Sequence, residues 1–190
     1  MKKLICIVIV ALGISSVGFA QSKKNNSSFQ SNNYTSSIGI RLGTGYYDLF
    51  SASFKTFIAE SPSAVELNLG FKPKSYGYYY GGYNGNVDAF NLSFSAAYQY
   101  HFDIPDVPGF KWFVGGGFTM WETFISNDQN DNYSSGFGFG LFTTGGGDYK
   151  FAKIPLAVSV DFRPTFVVTR PNNLYSYFYF SLGASARYTF

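Results

Sequence analysis

Side chains able to do chemistry are scarce in this 190-residue chain, which has 14 basic and 11 acidic residues, one histidine and one cysteine. Six of the charged ones fall where spacing carries meaning. Arg41, Lys55, Glu66, Asp161, Arg163 and Arg187 occupy the small-residue phase of segments that alternate with apolar or aromatic residues. Paired residues of a hairpin keep a constant index sum, so a turn centred near Glu60 and Ser61 sets Lys55 opposite Glu66. Asp161 and Arg163 lie two residues apart on one strand face, with Arg187 on the following strand. Charges turned into the interior of a fold need partners, because an isolated one carries a large desolvation cost. The chemistry expected of this set is a structural ion-pair network; a narrow, weakly selective pore lined by the same groups is the alternative.

Other constellations offer less. His101 stands two residues from Asp103 near the end of its segment, and general-base chemistry requires geometry before a suitable pKa, so no catalytic residue is expected. Asp128-Gln129-Asn130-Asp131-Asn132 has the first spacings of a calcium loop but lacks the following Gly and the later Glu, so no metal site is expected. The glycines at 115–117 and at 136, 138 and 140 sit within alternating segments. They do not form a phosphate loop opening a helix, so no cofactor is expected, and they read as room for bulky inward neighbours. Tyr76, Tyr78, Tyr79, Tyr80 and Tyr83 crowd one low-complexity stretch. Tyrosine gives broad contact area with a polar tip, which suits a glycan, protein or phage partner, or an aromatic girdle.

The elements that must position these residues show a period of two. In 90–102, Phe90, Leu92, Phe94, Ala96, Tyr98, Tyr100 and Phe102 alternate with smaller or polar residues, a spacing a strand can use and a helix cannot. Segments 65–71, 154–163 and 178–190 repeat it, and 36–44, 49–58, 111–122 and 136–149 follow more weakly. Eight strands result, long enough for tilted membrane crossings. Compact links at 60–63, 103–109 and 150–153 alternate with long polar ones at 72–87 and 123–134, as in a barrel with short periplasmic turns and longer outer loops.

Volume decides which face points outward. An eight-stranded barrel has an interior just wide enough to be filled by side chains. Phe90, Phe94, Tyr98, Trp112, Phe118, Phe137, Phe139, Phe162, Phe178 and Phe180 would overfill it, whereas the opposite set is small or polar. With 21% aromatic and only 13% charged residues, the chain also lacks the charge for a soluble barrel's exterior. The aromatic face is therefore expected to meet lipid.

Residues 1–20 read as a cleaved secretory signal: Lys2 and Lys3, an apolar core at 4–14 and small residues at Gly18 and Ala20. Its removal takes Cys6 with it and lowers the formal charge from +3 to +1, so the basic balance says nothing of nucleic acid. Residues 21–35 are a polar leader without apolar periodicity, leaving 36–190 as the barrel.

From Ser36 onward the chain resembles the small eight-stranded outer-membrane barrels of the OmpX and OmpA-transmembrane-domain type. The most specific pieces are Asp148-Tyr149-Lys150-Phe151, the stretch 154–164, and the terminal Ala186-Arg187-Tyr188-Thr189-Phe190. The resemblance implies an all-β, eight-stranded, antiparallel up-and-down transmembrane β-barrel of the outer membrane, with both barrel ends in the periplasm. It also implies that Tyr188 and Phe190 form a signal read by the barrel-assembly machinery. OmpA-type chains continue into a peptidoglycan-binding domain; this sequence stops at strand eight, so cell-wall anchoring is not expected. Lipid-A-modifying barrels work toward the outer leaflet on a lipid-accessible surface, and His101 would lie at the other end, facing inward. The expected role is structural or adhesive, with lipid and lipopolysaccharide as surroundings and an extracellular ligand for the loops. A porin-like channel comes next, then a lipid-modifying enzyme or an accessory subunit of an envelope complex.

Overall fold

The computed structural model describes residues 34–190 except 59–60, 81–82, 105, 126–135 and 171–175, and describes 74–80 and 83–89 by backbone alone. The signal, the leader to residue 33 and the calcium-like stretch 128–132 lie outside the described residues, as do the side chains of Tyr76, Tyr78, Tyr79, Tyr80 and Tyr83. Eight strands follow in chain order: β1 (Ser36–Gly43), β2 (Phe50–Phe57), β3 (Ser63–Tyr80), β4 (Tyr83–Asp103), β5 (Phe110–Ile125), β6 (Gly136–Lys150), β7 (Leu156–Thr169) and β8 (Phe178–Thr189). Each pairs antiparallel with its sequence neighbours, and β1 closes the ring on β8. The seam is completed beside the last residue, where Phe190 and Ser36 exchange backbone hydrogen bonds of 2.9 and 3.0 Å.

The period of two becomes an inside and an outside. Along β8, exposed and buried residues alternate without a break: Phe178, Phe180, Leu182, Ala184, Ala186 and Tyr188 point out, and Tyr179, Ser181, Ser185, Arg187 and Thr189 point in. The outward residues are among the most accessible of the molecule, with Phe180 at 61% and Leu182 at 60%, whereas Arg187 is wholly buried. Between β4 and β5 the chain turns at Gly109, whose φ of 88° favours a residue without Cβ.

One link departs from the sequence expectation. The stretch 72–87, read as a long polar loop, is an extension of β3 and β4, paired from Lys72↔Asn91 up to Tyr80↔Tyr83. The ladder with β2 ends at Phe50↔Phe71 and that with β5 at Ala89↔Ile125, so the ribbon rises past its neighbours. A ribbon beyond the barrel wall has no buried face to impose an apolar–polar alternation, which is why its strands read as loop.

Candidate functional site in the barrel lumen

Inward-facing charge is concentrated in the lumen. Among the described residues four cations (Arg41, Lys55, Arg163 and Arg187) and four carboxylates (Asp48, Glu66, Asp148 and Asp161) are buried, each at most 5% exposed. The structure thus gathers all six of the charged candidates and adds Asp48 and Asp148.

Glu66 is the hub. Arg163 donates from Nη2 to Oε1 at 2.6 Å and Arg187 from Nη2 to Oε2 at 2.9 Å. Asn68 Nδ2 reaches Oε1 at 2.9 Å and Gln99 Nε2 reaches Oε2 at 3.1 Å. The Lys55 ammonium stands 3.6 Å from Oε2, the two residues being register partners across β2 and β3. One carboxylate thus collects donors from β2, β3, β4, β7 and β8, the saturation that a charge in a low-dielectric interior requires. Arg187 also donates to Ser53, Ser159 and Ser185 at 2.8–3.0 Å.

A second cluster lies further from the chain termini. Arg41 holds both oxygens of Asp161, through Nη2 at 2.7 Å and Nε at 3.1 Å, in the two-pronged geometry that guanidinium and carboxylate favour. Its Nη1 pairs with Asp48, which the β1–β2 link carries back into the barrel mouth. Burial pushes the Asp48 carboxyl above its ordinary range, against the pull of Arg41. Arg163 Nε lies 2.8 Å from Asp161, joining the two clusters, and its guanidinium stands 5.1 Å from the ring centre of Phe142.

Both ends of the lumen are closed by aromatics. Away from the termini, Tyr47 stacks on Trp121 with ring centres 5.1 Å apart, and Tyr179 meets Tyr47 edge-on at 5.9 Å. Together with Val167 they form a buried cluster. These rings correct the expectation of an interior made only of small residues and charges. Gly138, the register partner of Trp121, gives the indole its space: a Cβ there would lie 2.1 Å from the ring. At the terminal end His101 is enclosed between Phe57 and Phe113, with ring centres at 4.9 and 5.1 Å, and its Nε2 is 3.3 Å from Gln99 Oε1. Lys55 stands over the Phe113 ring at 4.8 Å and 3.8 Å from Asp148.

Tyr34 completes that end. Sequence reading assigned it to the leader, yet its hydroxyl donates to Asp148 at 2.7 Å, its ring packs edge-on against Phe57, and Phe57 N–H donates to the Thr35 carbonyl at 2.9 Å. Burial, then the Asp148 carboxylate, holds the Tyr34 hydroxyl well above the ordinary tyrosine range, so it remains a donor. A polar leader gives no periodic signal for a single anchoring residue.

Tyr188 and Phe190 lie on the outer wall, 58% and 53% exposed, with ring centres 6.5 Å apart. Among the described residues no group of three His, Cys, Asp or Glu is placed to hold a metal ion.

No protein-family model matches the sequence, and no curated protein matches it. Solved structures do. The chain is similar to the N-terminal β-barrel domain of Pseudomonas aeruginosa OprF, with 19% identity and a TM-score of 0.51 over 85% of this chain and all of that one. It also aligns with Neisserial surface protein A, at 14% identity and a TM-score of 0.44 over 82% of this chain and 94% of that one. The resemblance to small eight-stranded barrels rests on the first of these and holds at the level of fold.

Proposed function

We infer that this chain is an integral outer-membrane barrel with a closed lumen, exported by its first 20 residues, whose role is structural or exercised through the end away from its termini. The observation that carries this reading is the inversion of polarity: ion pairs inside, and Ile40, Val160, Phe180 and Leu182 each at least 60% exposed outside. Such a wall is costly in water and suited to a hydrocarbon slab. On this reading the termini face the periplasm, and Tyr188 and Phe190 are recognised by the assembly machinery during insertion. Lipid and lipopolysaccharide surround the wall, and the projecting β3–β4 ribbon meets an extracellular ligand. The reading is non-enzymatic; enclosure of His101 by Phe57 and Phe113 supports it.

Membrane fractionation followed by gel migration with and without boiling tests it. Recovery with outer membranes and a heat-dependent shift in migration are expected. A soluble periplasmic protein with no such shift would overturn the reading.

A further inference from the structure

The outer wall is not evenly filled. Where β6, β7, β8 and β1 run side by side, an apolar groove of about 380 Å³ is lined by Ile40, Gly147, Tyr149, Val158, Ala184 and Ala186, among others. Ala186 sits at its middle, the register partner of Val158 on one side and of Ile40 on the other. Small side chains flanked by large ones make a dent that packed hydrocarbon must fill, since empty apolar space forfeits dispersion contacts.

The charge beneath the groove is as local as the groove itself. Strands β6 and β7 supply two of its walls; β6 ends at Lys150, and the link that follows carries Lys153. The two lysines line a shallow concavity of about 360 Å³ together with Ile154, Pro155, Thr189 and Phe190. Lys150 is held in place by the carbonyls of Phe151 and Ile154, at 2.6 and 2.9 Å. Lys153 is exposed, and neither lysine is in an ion pair among the described residues. The neighbouring link, between β4 and β5, is of the opposite kind: it carries Asp106 and is bounded by Asp103, which pairs with Lys111 at 3.0 Å. Ala186 and Phe190, which lines that concavity, both point outward and lie four residues apart, roughly 13 Å along a strand, a span that separates a lipid headgroup from the body of its acyl chain.

We propose that this face binds one anionic glycerophospholipid of the leaflet on the side of the termini, its headgroup at Lys150 and Lys153 and an acyl chain in the groove over Ala186. The assignment rests on the membrane reading above. Two lysines at an anionic headgroup correspond to roughly a thirtyfold preference over a zwitterionic one.

Native mass spectrometry of the intact barrel in mild detergent, with phosphatidylglycerol, phosphatidylethanolamine or rough lipopolysaccharide added, tests it. One phosphatidylglycerol is expected to be retained in preference to phosphatidylethanolamine. Lys153→Gln is expected to cut the preference to roughly fivefold, while Ala186→Phe abolishes retention of both. Val160→Phe, on the β7 side of the groove, is the second filling variant. Equal retention of the two phospholipids, a preference unchanged by Lys153→Gln and both filling variants, or lipopolysaccharide held in place of phosphatidylglycerol would overturn the proposal. Heat-dependent migration is recorded for every sample. A wild-type protein without it fails the membrane reading and the lipid site with it, whereas a heat-modifiable barrel without lipid preference fails the site alone.

Discussion

Arg163 on β7 reaches across the lumen to Glu66 on β3, Nη2 standing 2.6 Å from Oε1. In a ring of eight strands β3 and β7 are diametrically opposed, so this pair spans the barrel. Lys55, Gln99 and Arg187 meet the same carboxylate from other strands. The lumen is thereby cross-linked, and strands that an up-and-down barrel pairs only with neighbours gain contact with their opposites.

Removing the hub should be severe. Glu66→Ala leaves Lys55, Arg163 and Arg187 without their shared acceptor, and stripping one partner from a buried network costs about 3–5 kcal/mol. Denaturant unfolding in lipid vesicles measures it; Glu66→Gln, which keeps the shape and part of the hydrogen bonding, should lose less.

The span itself can be isolated. In a double-mutant cycle, Glu66→Met with Arg163→Met should be less destabilised than the sum of the single variants, with a coupling of about 0.5–3 kcal/mol. Additive costs would mean that the two side chains do not act on one another.

Tyr34 gives an alkaline signature. A hydroxyl whose pKa is raised by folding contributes stability that is fully present below the unfolded value, about 10, and is lost as pH climbs from there toward the folded value. Tyr34→Phe should therefore cost about 1.5–3 kcal/mol at neutral pH by removing a hydrogen bond to a charged group. It should also flatten the decline in stability above about pH 10. Stability curves of the two proteins from neutral to alkaline pH make the comparison.

The two tryptophans stand on opposite sides of the wall, Trp112 at 43% exposure and Trp121 at 1%. In single-tryptophan variants, brominated lipid should quench Trp112 fluorescence and leave Trp121 nearly untouched. Equal quenching would contradict the assignment of faces.

Much of this was legible in the residues. Strands β4, β7 and β8 alternate because one face lines the lumen and the other is the outer wall. The Lys55–Glu66 pairing follows from the index sum of a short hairpin. Asp48 was not legible because it lies in a link, where no strand phase applies, and Asp148 follows glycines 145–147 that blur the phase. Volume arithmetic assigned ten bulky aromatics to the outside, Phe180 among them, but left Trp121 unplaced, and that residue lies inside. The indole fits inside because Gly138 opposite it has no side chain, a pairing visible only once the β5–β6 register is known. Gly183 does the same for Arg41, whose Nη2 would lie 2.2 Å from a Cβ there.

A planar-bilayer recording tests the closed lumen most directly. Purified wild-type protein is expected to give no reproducible single-channel steps, and Glu66→Ala, where it still inserts, intermittent opening. Regular unitary currents through the wild-type barrel would contradict the plug, as would Glu66→Ala with altered current and unchanged stability.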